Sequence, residues 1–166
     1  MGVVYDAQIY LDQKNGGISR YHYELFKGMR QLGCRVRLAG LFVKNQYLLS
    51  ENQLKKSFIY DPTSSFAIFN KLILQRALKR ISSSTIFHPA NSYQHIIPEI
   101  SGVKNMVFTI HDMIIEKQNK NAGAEKLVYA RQASKIIAVS EATKKDIIDL
   151  WGIASDKIEV IYHDHP

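Results

Sequence analysis

Gly16-Gly17-Ile18-Ser19-Arg20-Tyr21 is the stretch of this sequence best suited to hold an anion. Two adjacent glycines carry no Cβ, so the backbone can turn tightly there. The amides opening the helix that follows then point outward with the positive end of its dipole. A phosphate fits such a spot, and a plain tight turn explains the pair equally well. Arg20 falls in the first helical turn, where its charge opposes the dipole; that mild cost suits a role with an anion, the plainer alternative being an exposed ion pair. Two more polar groups follow apolar runs. His111-Asp112 ends Asn105 to Ile110 (NMVFTI), and Ser140-Glu141 ends Lys135 to Val139 (KIIAV). Taken singly, His111 reads as a core histidine bonded to backbone as readily as a site residue, and Asp112 as a turn or N-cap residue. Ser140 reads as a helix cap rather than a nucleophile, since no histidine and acid are placed by sequence to activate it, and Glu141 suits the positive end of the same helix.

The elements that would position these groups alternate in type. Gly2 to Tyr10 reads as a buried strand. From Gly17, Ile18, Tyr21, Leu25, Met29 and Leu32 recur at spacings of three and four up to Gly33, the pattern of a helix and its stop. Cys34 to Val43 reads as a second strand buried on both faces, with Cys34 a small core residue, and Lys44 to Ser65 as a polar, irregular surface excursion. Phe66 to Ile81 is helical, with Phe66, Phe69, Ile73 and Ala77 as one stripe and Lys71, Gln75, Lys79 and Arg80 off it. Thr85 to His88, Asn105 to Ile110, Lys135 to Val139 and Lys157 to Tyr162 are strands. Ala124 to Ala133 and the segment from Ser140 to Trp151 are helices, the latter turning Thr143 and Ile147 inward, and Glu116 to Gly123 is a polar connection. The alternation predicts a Rossmann-like α/β/α fold with a mainly parallel sheet. In such a sheet a ligand binds beyond the carboxyl ends of the strands, where Gly16-Gly17, His111-Asp112 and Ser140-Glu141 all arrive.

The totals bound the class. A chain of 166 residues, 46% hydrophobic, suits a single domain, 1–166, with its own core, and a net charge of +7 favours anionic partners. A lone cysteine excludes a disulfide framework and points to a reducing compartment. Neither a leader peptide nor a membrane span is expected. His163-Asp164-His165 has the spacing of metal ligands, yet it stands at the frayed end of the sequence, so a metal is not expected. A nicotinamide fold is disfavoured, because the turn lacks G-x-G-x-x-G and no acid ends the second strand.

Taken together, Gly16 to Tyr21, Thr109-Ile110-His111-Asp112-Met113-Ile114, Lys135 to Asp146 (KIIAVSEATKKD) and Asp156 to His163 (DKIEVIYH) resemble, in order, the N-terminal domain of a bacterial GT-B glycosyltransferase. The similarity is to the retaining group called family four or group 1, and it runs along essentially the whole chain. Tyr5-Asp6-Ala7-Gln8-Ile9-Tyr10 and Phe87-His88-Pro89 resemble a subgroup acting in capsule, exopolysaccharide and lipopolysaccharide assembly. The resemblance implies two Rossmann-like domains, the N-terminal one holding the acceptor and the C-terminal one gripping a nucleotide-sugar donor. It implies that Gly16 and Gly17 approach the donor diphosphate, that His111 lies near the transferred sugar, and that Arg20, Asp112, Ser140, Glu141 and Thr143 line the cleft. It further implies retention of anomeric configuration without metal or cofactor, the leaving phosphate assisting deprotonation of a glycan or lipid-linked acceptor. Positive charge at the diphosphate would stabilise that leaving group. The expected location is the cytoplasm, with peripheral contact to the inner face of the membrane. A second domain is expected past Pro166, and residues 1–166 alone are expected to be inactive or nearly so.

A reading from a different class is a free-standing basic module that binds anionic lipid or phosphate ligands without catalysis, suggested by the net charge and the basic residues of Phe66 to Ile81. Nucleic acid is a more distant partner, because the basic residues are scattered and no base-stacking aromatic pattern accompanies them.

Overall fold

The computed structural model describes residues 2–51, 56–91, 100–119 and 122–163. Strand β1 (Gly2–Asp6) is followed by a short helix α1 (Gln8–Asp12), so the first strand stops four residues before Tyr10. Asp6 turns the chain by accepting from the Gln8 amide through Oδ1 at 3.0 Å, and α1 then buries Ile9, Tyr10 and Leu11. Over so short an apolar run, periodicity does not separate a buried strand from a buried helix.

Helix α2 (Gly17–Gln31) ends at Gly33, whose φ of 76° is the left-handed conformation of a helix stop. Its buried stripe is Ser19, His22 and Phe26, while Ile18, Leu25 and Met29 pack along the edges and Leu32 is exposed. The expected stripe was thus rotated by about one residue, because two of the buried positions are polar and an apolar count passes over them. Strand β2 (Arg35–Ala39) is an outer strand with Arg35 and Arg37 exposed, not a strand buried on both faces, and Cys34 lies half-buried just before it.

The chain leaves β2 at Gly40, where a Cβ would lie 2.3 Å from that of Ala7. Asn70 fixes the break: its Oδ1 accepts from the amides of Leu41 and Phe42 at 2.8 and 2.9 Å, and its Nδ2 donates to the Phe42 carbonyl. The two-residue strand β3 (Phe42–Val43) therefore pairs with β4 (Ile59–Tyr60) in a small separate sheet. Between them lies α3 (Gln46–Ser50), with Asn45 as its cap and Leu48 buried, so this region is more than an irregular excursion. In α4 (Ala67–Lys79) the inward residues are Asn70, Leu74, Ala77 and Leu78, whereas Phe66 and Phe69 face solvent. The buried Asn70 sets that rotation, and it reverses the orientation expected for the two phenylalanines.

The remainder runs β5 (Thr85–His88), β6 (Val107–Ile110), α5 (Ile114–Gln118), α6 (Ala124–Gln132), β7 (Lys135–Ala138), α7 (Glu141–Trp151), a 3₁₀ turn Ser155–Lys157 and β8 (Ile158–Val160). The last strand is shorter than Lys157 to Tyr162 because that turn takes its start. β2-β1-β5 and β6-β7-β8 are joined by a bridge between Phe87 and Met106, and every strand pairing described is parallel. Val3 and Tyr5 enter one core cluster with Phe26 of α2, and Val4 enters the other with Leu74, Ala77 and Leu78 of α4. Helices therefore cover both faces of a Rossmann-like α/β sheet. Register brings Asp6 beside Ala39, Tyr5 beside His88, and Ile110, Ala138 and Val160 side by side, so all carboxyl ends share one rim. Among the described residues no helix is long and apolar enough to cross a membrane.

Candidate functional site

The glycine turn follows β1 and α1 onto this rim. Gly16 is the N-cap of α2 in extended backbone, with Gln13 folded over it: a Cβ on Gly16 would sit 2.2 Å from Gln13 Oε1. That oxygen accepts from the Ser19 amide at 3.2 Å, and Ser19 Oγ donates back to the Gly16 carbonyl at 3.0 Å. Asn45, wholly buried, donates through Nδ2 to the Gln13 carbonyl at 2.9 Å and to Ser19 Oγ at 3.0 Å. Gly16 is thus held by structure. Gly17 differs, since nothing lies within 4 Å of a Cβ built on it and, among the described residues, no side chain accepts from the amides of Gly17 and Ile18, Gln13 covering only that of Ser19. A close-approaching anion has room at Gly17 and the helix dipole behind it. Arg20 is exposed beside it, its guanidinium making no hydrogen bond or ion pair to the other described residues.

One turn further along α2 the chemistry changes. Tyr21 packs edge-on against His111, ring centroids 5.1 Å apart, and its Oη lies 3.3 Å from Thr109 Oγ1. The same Thr109 hydroxyl lies 2.9 Å from His88 Nε2. His22 stands edge-on to His88 at 5.3 Å and to His111 at 6.1 Å, and His163 packs against Tyr21 at 4.8 Å and His111 at 5.3 Å. Neither ring nitrogen of His22 has a hydrogen-bond partner among the described residues, and Nε2 of His111 is likewise buried without one. Burial holds all three imidazoles neutral. It pushes His88 down to about 3 and, with the His163 ring adding, His111 down to about 4, while nearby Asp112 opposes the latter shift. His22 is driven well below the ordinary histidine value by burial and by its histidine neighbours. A neutral imidazole with a buried, unmatched nitrogen can bind and orient a hydroxyl; it does not supply a positive charge at pH 7.

The loop after His111 is braced from outside the sheet. Asp112 Oδ1 accepts from the Ile114 amide at 3.2 Å, closing a turn, and Lys126 Nζ donates to the Asp112 carbonyl at 3.2 Å. Lys126 also pairs with the buried Glu116 carboxylate at 2.7 Å. Gly123, at φ 75°, leaves room for that carboxylate, since a Cβ there would meet Glu116 Oε1 at 2.4 Å. Glu116 to Gly123, expected as a polar connection, therefore begins with the end of α5 and holds a buried ion-pair partner. On the neighbouring strand Ser140 caps α7 by accepting from the Thr143 amide at 3.1 Å, its hydroxyl 3.0 Å from that of the buried Thr143. Glu141 is exposed at the start of α7. Asp6 ties β1 to the end of β5 through a 2.6 Å bond from the Ala90 amide to Oδ2, and burial raises its carboxyl to about 6 against the pull of those amide bonds.

Gly17, Arg20, His111, Asp112, Ser140 and Glu141 all lie at the carboxyl rim, while Gly16, Ser140 and Thr143 are engaged in local structure. Sequence reasoning missed His22, Tyr21, Thr109, Gln13 and Glu116 as parts of this rim. For His22 a signal existed: Ser19, His22 and Phe26 stand at i, i+3 and i+7, the spacing of one helix face. Among the described residues no group of three or more His, Cys, Asp or Glu has an arrangement that could hold a metal, and Asp164 and His165 lie outside those residues.

No curated protein matches this sequence. A family model, Glycosyltransferase Family 4, matches residues 15–163, from the residue before the glycine pair to the histidine that packs on His111, and the chain belongs to that family.

Proposed function

We propose that residues 1–166 form the acceptor-side N-terminal domain of a retaining, nucleotide-sugar-dependent glycosyltransferase, acting on a glycan or lipid-linked acceptor in bacterial surface polysaccharide synthesis. One observation carries the reading: Tyr21, in the first turns of α2, packs on His111 at 5.1 Å, so the open end of the helix and an unmatched imidazole nitrogen share one rim. In this reading the donor diphosphate lies against the amides at Gly17, with Arg20 beside it, and His111 bonds a hydroxyl of the transferred sugar. The anomeric carbon–phosphate oxygen bond breaks, the acceptor oxygen bonds the same face of that carbon, and the acceptor proton passes to the leaving phosphate. The chain's own residues bind and orient; no metal or cofactor is invoked. A second, donor-binding domain completes the cleft, and a cytoplasmic location follows from the soluble donor.

Joined to such a donor-binding domain, the wild-type chain is expected to transfer sugar. His111→Ala should lower turnover by roughly 10²- to 10³-fold, the range for loss of one well-placed polar group at a reacting centre. Unimpaired transfer by that variant would remove His111 from the mechanism.

A further inference from the structure

We propose that Lys126 and Glu116 are positioning residues for His111, together setting the direction in which its imidazole meets the substrate. The inference rests on the reading of His111 as a site residue and adds the groups that aim its ring. His111 and Asp112 are the two residues between Ile110, at the end of β6, and Met113, the N-cap of α5. Ile110 and Met113 are both buried, so the soft part of this stretch is the short link between them. Asp112 Oδ1 braces the link locally, through the Ile114 amide. Lys126 Nζ, on α6, holds it from a separate element by donating to the Asp112 carbonyl at 3.2 Å.

The ammonium is itself aimed. Glu116 Oε1 accepts from it at 2.7 Å, the Glu116 side chain being 3% exposed and that of Lys126 22%. Each helix has another anchor: Tyr129 and Ala130 seat α6 in the core, and Lys117 Nζ on α5 bonds both carboxylate oxygens of Asp146 on α7 at 3.1 Å. The pair also carries costs. Lys126 stands in the first turn of α6, where its charge opposes the helix dipole, and Glu116 Oε2 is buried without a hydrogen bond among the described residues. A buried charge pair with one oxygen unmatched gains little or nothing over apolar side chains of like size. What apolar side chains could not do is donate to the Asp112 carbonyl.

The aim matters because the ring of His111 has a set place. It stands edge-on to Tyr21 at 5.1 Å and tilted against His163 at 5.3 Å, with Nε2 buried. Release of the Asp112 carbonyl frees the link to turn and carries the ring of the preceding residue off Tyr21. A displacement of about 1 Å at a reacting centre is worth about 100-fold in rate. The Lys126 charge reaches the same ring: behind burial and the His163 ring it is a further influence holding His111 neutral, against the opposing pull of Asp112.

The test pairs nuclear magnetic resonance of the chain with kinetics of the two-domain enzyme. Lys126→Met keeps the stem and loses both bonds. Glu116→Gln/Lys126→Met loses them without leaving a charged carboxylate alone in the interior, which serves should the single variant fail to fold. In both, the nuclear Overhauser contact between the His111 and Tyr21 rings should be lost. Turnover should fall about 10- to 100-fold at unchanged KM for donor and acceptor. In a His111→Ala background the same substitutions should cost nothing further, because they act through a ring that is gone. A ring contact and a kcat that both stay at the wild-type level would overturn the proposal. So would an equal loss of rate with and without His111, the mark of a merely structural role. Should His111→Ala itself transfer sugar unimpaired, the reading of His111 as a site residue falls. The ring contact then decides by itself whether the pair aims His111, its loss upholding the positioning and its persistence overturning it.

Discussion

The two ends of the first turn and a half of α2 are built on opposite principles. At the glycine turn, Gln13, Ser19 and Asn45 satisfy one another and the backbone around Gly16. A few residues on, His22 and His111 are packed among Tyr5, Tyr21 and His88 by ring contacts, yet three of their nitrogens are buried without a hydrogen bond among the described residues. A satisfied network specifies a conformation. Buried unmatched nitrogens cost about 1–3 kcal/mol each, and a fold retains them where something else recovers the bond. The turn at Gly16 is therefore scaffold, Gly17 beside it stays open, and the histidine cluster is the part of the rim that a hydroxyl-bearing ligand would complete.

The largest effect that would break this contrast is at Asn45. Its side chain makes three bonds: it caps α3 by accepting from the Tyr47 amide, and it holds both the Gln13 carbonyl and Ser19 Oγ. Asn45→Ala should lower stability by about 3 kcal/mol in urea unfolding, about 1 for the cap and the rest for buried partners left unmatched. A loss under about 1 kcal/mol would mean that the turn is held by something else. His22→Phe should behave differently. It removes two nitrogens that have no partner and keeps a planar ring, so at pH 7 stability should stay level or rise by up to about 1 kcal/mol.

Much of this architecture is legible from residue order and some of it is not, for a consistent reason. Strand-helix alternation, the stop at Gly33 and the cap at Ser140 follow from local chemistry that acts within a few residues. The rotations of α2 and α4 do not, because each is set by a buried polar residue whose partner is distant: Ser19 by Asn45, and Asn70 by the backbone at Leu41 and Phe42. A pattern that counts only apolar residues places such positions outside, turning the helix with them. The rim itself was predictable from topology, which carries Gly17, His111 and Ser140 to the same edge; the cluster of histidines was not, since His22, His88 and His111 come from three elements far apart in the chain.

A smaller effect sharpens the electrostatic side of the contrast. Because burial lowers His22, His88 and His111 below the histidine value of 6.5, the unfolded chain takes up protons between pH 6.5 and about 4 that the folded chain does not. Stability from these groups is fully present above pH 6.5 and is lost as pH falls. Asp6 works the other way: with its folded value raised to about 6, it favours the folded state as pH falls from 6 towards 3.8. The histidines outnumber it, so urea midpoints should decline from pH 6.5 to 4. His22→Phe should flatten the slope by about one proton, or about 1.4 kcal/mol per pH unit. A slope unchanged by that variant would show that His22 titrates alike in both states.

The smallest expected changes in stability separate the two glycines. Alanine at Gly17 meets nothing within 4 Å and enters a helix, so Gly17→Ala should leave stability unchanged or raise it by up to about 1 kcal/mol. Alanine at Gly16 must displace the Gln13 side chain and release the Ser19 amide, so Gly16→Ala should cost about 1 kcal/mol, a cost that should vanish in a Gln13→Ala background where the obstruction is gone. Function should rank them in reverse. If a diphosphate closes on the bare amide at Gly17, a methyl group there keeps it away, and donor affinity of the two-domain enzyme should fall about tenfold in Gly17→Ala. Titration calorimetry with the nucleotide-sugar, run beside urea unfolding of both variants, reads the two orders together. A Gly17→Ala protein that binds donor as tightly as wild type would leave the glycine turn as scaffold at both positions and move the anion site elsewhere on the rim.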